Sequence, residues 1–136
     1  MKTIDKNFNW GTTQTTWIDN IVREIFEEKQ YEKIYQVQEN DVVLDIGASV
    51  GPFTYSVLDR ASKIYSLEPM NNVYNILKSN FSENTVEPVN SALFHSSGFY
   101  KFPMDGSIGN PCVHETSDKL EELFNNGEVV NTMSFI

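Results

Sequence analysis

The apolar positions of this chain change period several times, and each change predicts an element. From Thr15 to Gln30 the residues Trp17, Ile18, Ile21, Val22, Ile25 and Phe26 recur at three- and four-residue spacing. Asp19, Arg23, Glu27 and Glu28 fall between them, which predicts an amphipathic helix that covers a sheet. Tyr31, Ile34, Tyr35 and Val37 carry the pattern onward, and core or rim packing is the simplest reading of Tyr31 and Tyr35, ahead of lining a ligand crevice. Val42, Val43, Leu44 and Ile46 then form a contiguous run, the pattern of a strand covered on both faces.

Phe53, Val57 and Leu58 give a short helix with one apolar face, and Lys63–Glu68 a second strand that Pro69 stops at once. Val73, Leu77 and Phe81 mark the next helix, which Asn71 or Asn72 can cap. Thr85–Val89 is a weaker third strand, placed at a sheet edge because Pro88 has no N–H to give to a central ladder. Strand, helix, strand, helix, strand in this order is the parallel, right-handed crossover pattern of a nucleotide-binding half-domain.

Downstream the period is lost. Ala92–His95 and Phe99–Phe102 flank Ser96-Ser97-Gly98 in a hairpin-like arrangement. Met104–Thr116 reads as a loop, Ser117–Phe124 as a short helix, and Val129–Ile136 as a last strand. The expected organisation is therefore an N-terminal helical cap (1–38), a Rossmann-like α/β half (39–94), and a hairpin, loop, short helix and terminal strand (95–136). The polar first ten residues read as loosely held.

Composition narrows the function. The chain has 136 residues and a formal charge of −9, which fits one domain with a single core and disfavours nucleic-acid phosphate or an anionic membrane as partner. No apolar run approaches the roughly 20 residues a membrane span needs, and the amino terminus shows no signal-peptide core. Cys112 is the single cysteine, so no internal disulfide forms. A cytoplasmic protein is the expectation, in which the sequon Asn80-Phe81-Ser82 arises by chance.

The chemistry gathers at Asp45-Ile46-Gly47-Ala48-Ser49-Val50-Gly51-Pro52-Phe53-Thr54. Gly47 permits a sharp turn, and Gly51 permits close approach of a ligand or tight packing under the following helix. Pro52 suits a first helical position. Such a turn is expected to present free N–H groups, the positive end of a helix and one carboxylate in a single crevice. Glu68 ends the second strand as Asp45 ends the first, where a doubly wound sheet holds ribose hydroxyls. The spacing departs from the G-x-G-x-x-G dinucleotide fingerprint, and an acid two places before the first glycine repels pyrophosphate. It suits a cationic or amino-bearing nucleoside such as S-adenosylmethionine. His95 and His114 lack a third ligand at metal spacing, Cys112 lacks a nucleophile motif, and Glu115–Glu122 reads as a solvated helix face.

Three blocks, Val43–Phe53, Ile64–Pro69 and Val89–Leu93, together resemble the FkbM-type class I methyltransferases. The resemblance, looser through the final strand, implies a Rossmann-like domain that binds S-adenosylmethionine and methylates a hydroxyl of a sugar or small molecule. It implies that Gly47, Ala48, Ser49 and Gly51 shape the turn under the methionine part, with Asp45 organising it and Phe53 and Thr54 adjoining. Glu68, followed by Pro69, would hold the ribose, and Ser91 and Ala92 would pass near the adenine. No catalytic base and no metal ligand are assigned. A βαβ unit takes about 30 residues or more, so a complete seven-stranded domain needs about 200. The expectation is that only the cofactor half is present, leaving the Asp45 strand with a bare edge for a second copy, a complementing chain or the Val129–Ile136 segment. The alternatives are a non-catalytic S-adenosylmethionine-binding or interaction module and, less favoured, a nicotinamide-dependent oxidoreductase.

Overall fold

The computed structural model describes residues 4–102 and 128–134. Strands β1 (Val42–Ile46), β2 (Lys63–Leu67) and β3 (Val86–Val89) form a parallel sheet in the order β1-β2-β3. Helix α2 (Pro52–Val57) connects the first pair and α3 (Asn71–Asn80) the second. β3 lies at the edge, as Pro88 requires, opposite Ser66 of β2. Ile64, Val57, Val73 and Leu77 are essentially inaccessible and form the centre of the core between sheet and helices.

The expectation that β1 is covered on both faces is overturned. Val43 and Asp45 face the helices, but Val42, Leu44 and Ile46 are 65%, 41% and 51% exposed. Strand residues alternate between faces, so an unbroken apolar run shows only that both faces favour a covering; here Leu44 and Ile46 border a cavity together with Trp17, Ile21 and Ile25 and stay partly exposed. Among the described residues β1 has a partner on one side alone.

The amphipathic stretch is also broken up. Helix α1 (Thr15–Val22) passes into a π-helical turn over Arg23–Glu27, closed by the Glu28 amide on the Arg23 carbonyl at 2.8 Å. Lys29 then takes a left-handed conformation (φ 49°) and leads into a 3₁₀ turn over Gln30–Glu32. No glycine or proline marks this break, so the hydrophobic period runs through it unseen. Within the stretch expected to be loosely held, Phe8 is packed: it is buried with its ring edge-on to Trp10, Tyr55 and Phe81. Asn80 closes that contact by donating from Nδ2 to the carbonyls of Asn9 and Val50, both at 2.9 Å.

The segments on either side of Ser96-Ser97-Gly98 do not pair with each other. β4 (Ala92–Leu93) and β5 (Gly98–Phe102) both pair with β6 (Glu128–Met133), giving a second sheet of order β4-β6-β5. The terminal strand forms over Glu128–Met133 and joins this second sheet, and among the described residues no strand pairs with the free edge of β1. The loop expected over Met104–Thr116 and the helix over Ser117–Phe124 lie outside the described residues, as do Cys112 and His114.

Candidate functional site

The carboxyl end of β1 makes a tight turn in which the amides of Gly47, Ala48, Ser49 and Gly51 are taken up within the protein. The N–H groups of Gly47 and Ala48 both donate to the Leu67 carbonyl, at 3.0 and 2.9 Å. That of Gly51 donates to the Ala48 carbonyl at 2.9 Å, and that of Ser49 to Glu68 Oε2 at 3.0 Å. Pro52 has none, and α2 has only six residues. The expected crevice of free amides at a helix end is thus corrected: these donors brace the turn against β2. Ser49 is held at φ 53°, a left-handed conformation that a non-glycine residue adopts only under local constraint, which Glu68 supplies.

The two glycines differ in purpose. Gly47 has φ 73° with open space where a side chain would begin, so only its conformation demands glycine. Gly51 has φ 94°, and a Cβ there would meet Phe81 Cε2 at 2.4 Å and Leu77 Cδ1 at 2.8 Å. Gly51 thus serves packing, but against Leu77 of α3 and Phe81 rather than under the helix α2 that follows it.

Asp45 is buried and points toward α2. Thr54 Oγ1 lies 2.7 Å from Asp45 Oδ2 and 2.7 Å from Ser66 Oγ, and the Thr54 amide also bonds the carboxylate. Burial pushes the Asp45 carboxyl above its ordinary pKa, and the bonds from Thr54 pull against that shift. Glu68 is 2% exposed; besides the Ser49 amide it accepts the Met70 amide on Oε1 at 2.9 Å. The cap residue of α3 is Met70 rather than the expected Asn71 or Asn72, and its own amide is the one Glu68 takes on Oε1. Asn90, which no sequence signal marks, donates from Nδ2 to the carbonyls of Glu68 and Pro69 at 3.0 and 3.1 Å.

Beside this turn lies a cavity of about 280 Å³. It brings together Asp45, Gly47, Ala48, Ser49 and Phe53 from the expected set. Gly51, Thr54, Glu68, Pro69, Ser91 and Ala92 stand outside its walls. Thr54 and Ser91 are wholly buried, and the Ser91 hydroxyl donates to the Asn131 carbonyl at 3.1 Å, tying the two sheets. Trp17 of α1 and Tyr31 complete the opposite wall, and the Tyr31 ring lies 5.3 Å from that of Phe53 at 52°. Their apolar period marks both as burying residues without telling which surface they meet. Tyr35 plays no part there; its hydroxyl donates to Asp41 Oδ2 at 2.8 Å. Two larger hollows, about 470 and 420 Å³, lie away from the strand ends, the first over the Glu32–Arg60 pair, whose charges already satisfy each other. Neither holds a comparable set of groups. Among the described residues no cluster of His, Cys, Asp or Glu could hold a metal, and no helix is long and apolar enough to cross a membrane.

No family model matches the chain. Over 49 residues it is 39% identical to the "Probable ribosomal RNA small subunit methyltransferase A" of Methanococcoides burtonii, a match covering 36% of this chain and 18% of that protein. The crystal structure of Methyltransferase FkbM from Methylobacillus flagellatus aligns with a TM-score of 0.46 at 9% identity, over 74% of this chain and 23% of that one. A SAM-dependent methyltransferase from Leishmania major aligns with a TM-score of 0.41 at 16% identity, over 56% and 31%. The chain thus spans less than a third of the length of each of these proteins. The chain itself is a small α/β domain with a parallel strand core.

Proposed function

We propose that the chain binds S-adenosylmethionine at the carboxyl end of β1 and acts as the donor-binding part of a methyltransferase of the FkbM type, directed at a hydroxyl of a sugar or small molecule. One observation supports this reading above others: the turn offers its amides to the protein instead of to a ligand. A dinucleotide site needs those amides for pyrophosphate. This one instead has aromatic rings and no Lys or Arg in its wall, which suits a cationic ligand with a neutral body.

In this reading Asp45 organises the turn through Thr54, and Gly47, Ala48 and Ser49 shape the wall under the methionine part. The adenosine would run across the ends of β2 and β3, past Glu68 and Pro69 toward Ser91 and Ala92. The ribose hydroxyls would be held by the Glu68 carboxylate at the end of β2. S-Adenosylmethionine would supply an activated methyl group, and the residues here would orient it. The acceptor-holding part would lie against the bare β1 edge.

Calorimetric titration with S-adenosylmethionine and with NAD tests the reading, followed by transfer of labelled methyl to hydroxyl acceptors. Folded protein that leaves S-adenosylmethionine unbound, or prefers NAD, refutes it. Binding without transfer to any acceptor would assign the second reading, a non-catalytic binding module, which the uncovered face of β1 favours.

A further inference from the structure

We propose that the cavity discriminates by charge, and that Tyr31 is the residue that makes it do so: its ring, with that of Phe53, holds the sulfonium form of the methyl donor more tightly than the neutral thioether. This rests on reading the cavity as the donor site. When the methyl group leaves for an acceptor oxygen, the S–C bond breaks and an O–C bond forms. Sulfur keeps the electron pair and becomes neutral, and the acceptor loses its hydroxyl proton. Donor and product then differ at the reacting atom mainly in one positive charge.

Three features of the wall respond to that charge. The rings of Tyr31 and Phe53 are 5.3 Å apart and tilted by 52°, so they do not cover each other's faces as a stacked pair would, and both residues border the cavity. Aromatic faces attract cations through the ring quadrupole, most strongly in partly desolvated places. No lysine or arginine borders the cavity to oppose a cation. The amides of Gly47, Ala48, Ser49 and Gly51, which could have favoured an anion, are all engaged elsewhere.

Tyr31 is 66% exposed, yet its backbone is anchored. It sits in the 3₁₀ turn next to Glu32, whose carboxylate takes Arg60 Nη1 at 2.7 Å and Nη2 at 3.0 Å and also the Val37 amide at 2.9 Å. A fixed backbone beneath an exposed ring places an aromatic face at the cavity rim without a core reason for it.

The test is titration of wild type, Tyr31→Leu and Tyr31→Phe with three ligands. These are S-adenosylmethionine, S-adenosylhomocysteine and an analogue bearing an ammonium in place of the sulfonium. Wild type and Tyr31→Phe should bind the two cations about 2- to 30-fold more tightly than the thioether. Tyr31→Leu should lose most of that ratio while its thioether affinity stays within about twofold; circular dichroism confirms its fold. Equal weakening of all three ligands in Tyr31→Leu, or no preference in wild type, overturns the proposal and leaves the donor site standing. Folded wild type that binds none of them overturns both.

Discussion

The Ser49 amide donates to Glu68 Oε2 at 3.0 Å, joining the turn after β1 to the end of β2 across 19 positions of sequence. Because the other oxygen of the same carboxylate caps α3 through Met70, one buried acid fixes both the turn and the next helix.

That dual role predicts the effect of Glu68→Gln. The amide leaves one oxygen to accept and turns an NH₂ toward a backbone donor, and hydrogen bonds to a charged group contribute about 2 kcal/mol. The variant should melt roughly 5–10 °C lower and lose S-adenosylmethionine affinity, because Ser49 relaxes from its left-handed conformation. Thermal denaturation and calorimetry check this; an unchanged melting temperature would contradict it.

Gly47→Ala and Gly51→Ala should separate in magnitude although both glycines have positive φ. At Gly47 the added methyl meets open space, so the cost is conformational, about 1 kcal/mol. At Gly51 the same strain is joined by a clash with Phe81 and Leu77, for about 3 kcal/mol in all. Urea unfolding of the two variants measures the difference. Equal losses would show that the neighbours of Gly51 yield.

The Glu32–Arg60 pair predicts a pH dependence. Hydrogen bonds from Arg60 hold the Glu32 carboxyl below its ordinary pKa of 4.5, with the Val37 amide and Lys29 acting in the same direction and burial opposing. A carboxyl lowered on folding stabilises the fold above its unfolded pKa, and that contribution is lost as pH falls through the folded value. Stability of wild type should therefore decline below about pH 4.5 more steeply than that of Glu32→Gln, which should be less stable at pH 7 by about 2 kcal/mol. Melting curves from pH 7 to pH 3 decide it; parallel curves would assign the acid sensitivity elsewhere.

The uncovered face of β1 predicts self-association of the purified chain, where a second copy is the partner at hand. Val42, Leu44 and Ile46 are exposed along a strand with an unpaired edge. Wild type should form dimers or larger species as concentration rises. Leu44→Lys should remain monomeric with a melting temperature close to that of wild type, since its site is 41% exposed. Sedimentation velocity over a concentration series distinguishes the two. A monomeric wild type at high concentration would show that the edge is protected.

Much of the parallel unit was legible in the chain because its signals are local. The β-branched run at Val42–Ile46, Pro52 at a first helical position, and Pro88 confining its strand to an edge each depend on neighbours in sequence. The acids ending β1 and β2 and the left-handed glycine at the turn are equally local features. What the tertiary structure decided are the matters set by partners distant in sequence. Glu68 serves Ser49 and Met70, Gly51 yields space to Phe81, and Glu32 finds Arg60 at a separation of 28 residues. Whether β4 and β5 would pair with each other or with β6 depended on a competition among strand edges that no period records. The turn at Gly47–Gly51 was thus recognisable from its residues alone, but the direction of its amides, inward to the protein, followed only from where β2 lies beside it.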